Sequence, residues 1–122
     1  MSFLFDIISI SRKSKGCDFN SNATWLKNDK TNLCVIAYEA MKKKFDIGGV
    51  DIDLTKNIPR GSGLGGGSSN AASIMKGIRE LYSLNISDKA LEDMASQIGA
   101  DVPFFIRGSI PVSYTHLTLP TT

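Results

Sequence analysis

An α+β arrangement, a sheet and helices in two layers, is what this sequence predicts, and two alternating periodicities with a glycine cluster between them predict it. Val50-Asp51-Ile52-Asp53-Leu54 alternates apolar and acidic residues with the period of a half-buried strand. The apolar positions Leu33, Ile36, Ala37, Ala40 and Met41 instead recur at helical spacing. Between that strand and a second helical stripe, Pro59 to Gly67 holds glycines at 61, 63, 65, 66 and 67, which no regular element tolerates. The order strand, helix, strand, glycine loop, helix, helix argues against an all-helical bundle.

Each element has its own signal. Phe3 to Ile10 is rich in β-branched and aromatic residues and runs into the turn-prone Ser14-Lys15-Gly16, as a strand and its turn do. Thr31 or Asn32 is placed to cap the first amphipathic helix, and Gly48-Gly49 breaks it before the alternating strand. After the glycines, Ser68-Ser69-Asn70 closes the loop with capping residues. Ala71, Ala72, Ile74, Met75, Ile78, Leu81 and Tyr82 then give the next helix its apolar stripe. A third helix starts at Ser87, carries Leu91, Met94, Ala95 and Ile98 inward, and stops at Gly99 with Pro103 beyond. No internal repeat is present.

Composition narrows the function classes. Over 122 residues the chain is 42% hydrophobic and 21% charged, the range of a folded globular domain. Fourteen Lys+Arg against twelve Asp+Glu leave too weak a bias to indicate nucleic acid or an anionic membrane as partner. Lys42-Lys43-Lys44 reads as a solvated last helical turn that complements the helix dipole. Cys17 and Cys34 lack CxxC spacing and a nearby His, so neither a metal site nor a redox pair is supported, and reduced thiols fit the cytoplasm. No apolar run reaches the roughly 18 residues of a membrane span.

A glycine loop between strand and helix lets backbone amides approach a ligand without Cβ obstruction, and it aims the positive end of the helix dipole at an anion. Phosphate is the natural guest, and the cradle is expected from Pro59, Arg60, Gly61, Ser62, Gly63, Leu64, Gly65, Gly66, Gly67, Ser68 and Ser69. The two serine hydroxyls can reach phosphate oxygens, or one can help hold Mg²⁺. No Lys follows the glycines as in GxxxxGK[ST], and the acidic partner of a dinucleotide fingerprint is missing. Lys56, just before the loop, is within range of a phosphate by its position, but a lysine that ends a strand is more commonly solvated, and Phe19 and Trp25 are expected to pack locally rather than stack on a base.

Ile58-Pro59-Arg60-Gly61-Ser62-Gly63-Leu64-Gly65-Gly66-Gly67-Ser68-Ser69-Asn70-Ala71-Ala72 resembles the central ATP-binding motif of the GHMP kinases. With Ile98-Gly99-Ala100-Asp101-Val102-Pro103-Phe104-Phe105 it is similar to the branch that phosphorylates 4-diphosphocytidyl-2-C-methyl-D-erythritol in non-mevalonate isoprenoid synthesis. The resemblance implies an N-terminal domain of ribosomal-protein-S5-like fold, ATP and Mg²⁺ as cofactors, a small-molecule alcohol as partner, and Asp101 as the acidic catalytic residue. Its chemistry suits that role, since phosphoryl transfer needs positioning, charge neutralisation and one carboxylate near the attacking hydroxyl. The following Val-Pro-Phe-Phe is expected to desolvate Asp101 partly. Without the resemblance, a capping or surface Asp is the commoner fate of such a residue.

Residues 1–111 are thus read as a partial N-terminal ATP-binding domain, and 112–122 as something else. Val112-Ser113-Tyr114-Thr115-His116-Leu117-Thr118-Leu119-Pro120-Thr121-Thr122 resembles one reading frame of the mosaic-end adapter of transposon-based sequencing libraries, although alternating Thr and Leu would also suit an edge strand. Nucleotides across codons 111 to 122 that differ from the adapter would sink that reading. His116 is accordingly left out of any catalytic scheme. The family's opening strand, with its catalytic Lys, and its C-terminal half have no counterpart in the sequence, so the chain is expected to be inactive by itself and prone to association. Two other readings stand beside this one: a phosphate- or nucleotide-binding module without catalysis, and another GHMP kinase such as homoserine kinase.

Overall fold

The computed structural model describes residues 6–56, 66–107 and 112–118, the last as a backbone path. The chain runs β1 (Asp6–Lys13), β2 (Cys17–Ser21), α1 (Leu33–Lys44), β3 (Gly49–Thr55), α2 (Gly66–Leu81), α3 (Asp88–Ala95), α4 (Val102–Arg107) and β4 (Val112–Thr118). The strands form one sheet in the order β2-β3-β1-β4. β3 lies antiparallel to β1 and parallel to β2, and β4 lies parallel to β1.

The alternation expected of β3 holds along its length: Val50, Ile52 and Leu54 are buried, while Asp51, Asp53 and Thr55 face outward. Ile8 and Ile10 of β1 and Phe19 of β2 extend the same inner face. Among the described residues helices cover that face only, with α2 packed between α1 and α4, and α3 against α4. This is the expected two-layer α+β design. The core joins the inner strand residues to Tyr38 and Met41 of α1, Ile74, Met75 and Ile78 of α2, Leu91 of α3 and Ile106 of α4.

β1 and β2 are joined by a short turn yet do not pair, because β3 occupies the place between them. The turn therefore crosses the start of β3. Gly16 takes φ +80, a conformation favoured by glycine, and its carbonyl accepts from Val50 N at 2.9 Å. A Cβ on Gly49 would lie 2.3 Å from the Gly16 oxygen and 2.4 Å from the Lys15 carbonyl carbon, so the crossing needs glycine there. Two tyrosines fasten this corner from the helix layer. Tyr38 donates to Gly48 O at 2.8 Å and Tyr82 to Gly49 O at 2.6 Å, with the Arg12 guanidinium 4.6 Å above the Tyr82 ring.

Several expectations change. Phe3 to Phe5 lie outside the described residues, and β1 continues past Ile10 to Lys13. β2 was not anticipated, since Phe19 is its one buried residue. The core face of α1 is Cys34, Val35, Ala37, Tyr38 and Met41, so Leu33, Ile36 and Ala40 form its half-buried flank; Asn32 is the cap. Ser68, Ser69 and Asn70 are helical rather than capping, because α2 already begins at Gly66. α3 ends at Ala95, and Pro103 opens no coil: it sits in the first turn of α4, where a missing amide costs little. Val112–Thr118 forms an edge strand. An alternating Thr and Leu segment can pair along an open edge whatever its origin, so strand formation and the adapter resemblance are compatible.

Candidate phosphate site at the start of the second long helix

One edge of the sheet gathers the ends of three strands and the starts of two helices. The strand directions bring together Asp6 at the start of β1, the end of β2 and the end of β3. α1 begins beyond β2, capped by the Asn32 side chain, whose Oδ1 accepts from Cys34 N at 2.9 Å while its Nδ2 donates to Lys27 O at 3.0 Å. The first turn of α2 lies beside it, since a Cβ on Gly67 would stand 3.6 Å from Leu33 Cδ1. The positive ends of both helix dipoles therefore face the same edge.

Of the expected cradle, Pro59 to Gly65 lie outside the described residues, and Gly66 to Ser69 form the first turn of α2. Gly67 is exposed and Ser68 half-buried, so the positive end of the α2 dipole lies near the surface. Ser69 is 1% exposed, so of the two serines in this turn Ser68 is the one nearer the surface.

Asp101 immediately precedes α4, and its carbonyl accepts from Phe104 N at 3.1 Å. Its side chain is exposed. The apolar enclosure expected around it does not form among the described residues, because Val102 turns into the core and Phe104 is 79% exposed. Among the described residues its carboxylate has no hydrogen-bond or ion-pair partner.

Lys56 overturns the solvated reading. Its side chain is 8% exposed, and Nζ donates at 2.9 Å to both Asp6 Oδ2 and Asn70 Oδ1. Asn70 Nδ2 closes the ring by donating to Asp6 Oδ2 at 2.8 Å. Asp6 and Asn70 are themselves buried. The sequence carried a faint signal for this cluster in Asp6 alone, which stands between Phe5 and Ile7, where a solvated side chain has no place.

Cys17 and Cys34 are free thiols. Burial pushes the Cys34 thiol up to about 12 and the half-buried Cys17 thiol up to about 11, so neither is a nucleophile at neutral pH. A cleft of about 1010 Å³ runs between α1 and the end of α3, with Val35, Ile36, Met94 and Ile98 in its walls and Lys42 to Lys44 on its rim. It shares no residue with the first turn of α2. Among the described residues no three His, Cys, Asp or Glu side chains could hold a metal, and no helix is long and apolar enough to cross a membrane.

Comparison with known proteins gives this geometry a family. Residues 32–109 match the GHMP kinases N terminal domain. The chain is 42% identical over 106 residues to the 4-diphosphocytidyl-2-C-methyl-D-erythritol kinase of Clostridium botulinum (strain Loch Maree / Type A3), covering 86% of this chain and 38% of that protein. It is 50% identical over 86 residues to the kinase of the same name from Porphyromonas gingivalis, covering 70% of this chain and 31% of that one. A crystal structure of 4-(cytidine 5'-diphospho)-2C-methyl-D-erythritol kinase superposes with a TM-score of 0.65 at 35% identity, over 81% of this chain and 34% of that chain. The chain thus spans about a third of the length of the curated relatives it matches. A helix whose glycine-rich first turn opens beside a second helix start, on a two-layer α+β frame that matches over most of its length, makes this chain a member of the GHMP kinase family, within its N-terminal domain.

Proposed function

We propose that this chain is the ATP-binding part of a kinase that moves the γ-phosphoryl group of ATP to the 2-hydroxyl of 4-diphosphocytidyl-2-C-methyl-D-erythritol. One observation carries the reading: the exposed Gly67 and half-buried Ser68 open α2 directly beside the start of α1. The positive ends of two helix dipoles at one edge favour a triphosphate there. Pro59 to Gly65 belong to the same cradle by their motif. Asp101 is the catalytic residue, its carboxylate receiving the proton of the attacking hydroxyl as the bond to phosphorus forms. Its exposure fits a group that meets its partner only when substrate arrives.

Mg²⁺ would enter as an ion carried by the phosphates, with the Ser68 hydroxyl as an oxygen ligand of the kind it takes. When bound it neutralises developing charge on the transferring group. The free thiols agree with a cytoplasmic setting. Residues 112–122 stand outside this functional unit.

The test is direct. The 122-residue chain titrated with MgATP is expected to bind saturably and, at a hundredfold excess over Kd, to gain about 2.7 kcal/mol of stability. A flat titration with no gain ends the phosphate reading. For the chemistry, residues 6–107 are grafted into the matching stretch of the Clostridium botulinum relative. There Asp101→Ala is expected to abolish phosphorylation while MgATP still binds. Turnover that survives this change removes the catalytic assignment, and binding without turnover in the unmutated graft favours a non-catalytic nucleotide module.

A further inference from the structure

The buried ring of Asp6, Lys56 and Asn70 has no part in phosphate contact as described above, and its chemistry argues against one. Lys56 Nζ stands 2.9 Å from a carboxylate that is 0% exposed, so the pair is already neutral and the ammonium is no spare cation for a triphosphate. Replacing well-packed apolar groups by such a pair brings little stability, because desolvation offsets most of the attraction. What it does bring is a single geometry, since all three groups bond one another and each bond has a short reach.

The connections tell which geometry. Lys56 is the last described residue after β3, and Asn70 lies in α2 just past its first turn, so the ring ties together the two flanks of segment 57–65 and fastens both to the start of β1. The Lys56 main chain is held as well. Asn22, one residue past β2, accepts from Lys56 N at 2.7 Å through Oδ1 and donates to Lys56 O at 3.3 Å through Nδ2. Strand ends from β1, β2 and β3 are thus joined to the start of α2 through one lysine.

We propose that Asn22, Lys56, Asp6 and Asn70 are positioning residues that set the start of α2 at the height and angle from which its amides and Ser68 bind phosphate. The inference rests on the nucleotide reading above. Asn70 is the link to the helix, and Asn22 fixes the lysine from the opposite side.

Asn22→Ala and Asn70→Ala test it, because neither leaves a buried charge without its counter-ion, and either one alone decides the matter if the other fails to fold. The readouts on the 122-residue chain are MgATP affinity by calorimetry, the ³¹P resonances of bound nucleotide, and amide exchange at Ala71 to Ile74 compared with Leu91 to Ala95. Affinity is expected to fall about tenfold in Asn70→Ala, the effect of a lost hydrogen bond to a charged group, and about threefold in Asn22→Ala, whose bonds go to the Lys56 main chain. The β- and γ-phosphorus resonances shift, and exchange quickens at the start of α2 but not in α3. Unchanged affinity in a folded variant, or exchange that quickens equally in both helices, overturns the proposal in favour of a merely structural ring. If the unmutated chain binds no MgATP, the nucleotide reading fails separately, and the exchange data still decide: quickening confined to Ala71 to Ile74 supports the network as the element that sets α2, and no change overturns it.

Discussion

Lys56 and Asp101 exchange characters between sequence and structure, and both exchanges follow from what lies far along the chain. A lysine that ends a strand is solvated unless a carboxylate awaits it, and Asp6 is fifty residues away, beyond the reach of any local pattern. Asp101 precedes four apolar residues, yet helix α4 turns Val102 inward and Phe104 outward, leaving the carboxylate exposed. Gly49 is a third case: the glycine pair was legible as a break, but not the reason for it, which is the turn crossing at 2.3 Å. Gly49→Ala is therefore expected to lose about 2–3 kcal/mol of stability in urea unfolding, the range of overpacking against unyielding backbone. A loss under half a kilocalorie would mean that the Lys15–Gly16 turn moves aside freely.

Helices α1 and α3 were legible as elements because each carries both a period and a cap. Asn32 and Ser87 hold those caps, the latter by accepting from Ala90 N at 3.1 Å. The two are not equivalent. Ser87 works at the surface, whereas Asn32 is 2% exposed and also secures Lys27 O. Asn32→Ala is expected to cost about 2 kcal/mol and Ser87→Ala about 1 kcal/mol, measured as shifts in the urea midpoint at constant slope. Equal losses would reduce Asn32 to an ordinary cap. β2 and α4 escaped notice for opposite reasons: five residues with one buried side chain show no usable period, and a proline that reads as a stop is tolerated in a first turn.

Across the molecule, the two-layer plan was readable because the alternation of β3 and the stripe of α2 each demand a partner face, and both are buried in one core. Strand order was not, since it depends on which edges meet. The thiols report on the intact core as a whole. Ordinary cysteine ionises near 9.0, but burial holds Cys34 protonated to about 12 and Cys17 to about 11. Above pH 9 the unfolded chain gives up these protons while the folded chain keeps them, so stability is full below pH 9 and drains away as pH rises toward 12. For the fully buried Cys34 the total is a few kcal/mol. Urea unfolding at pH 7.5, 9 and 10.5 is expected to show this decline, with a shallower one in Cys34→Ala; identical slopes would mean that the thiol stays wet.

The placement of β3 between β1 and β2 also dictates a waiting time. A ribosome releases β1 and β2 first, and the strand that both require follows only after α1 has been made. At roughly 5–20 residues per second that interval lasts seconds. Throughout it the nascent chain carries Ile8, Ile10 and Phe19 on strands that still lack β3, and a chaperone that shields extended apolar segments would meet its target there.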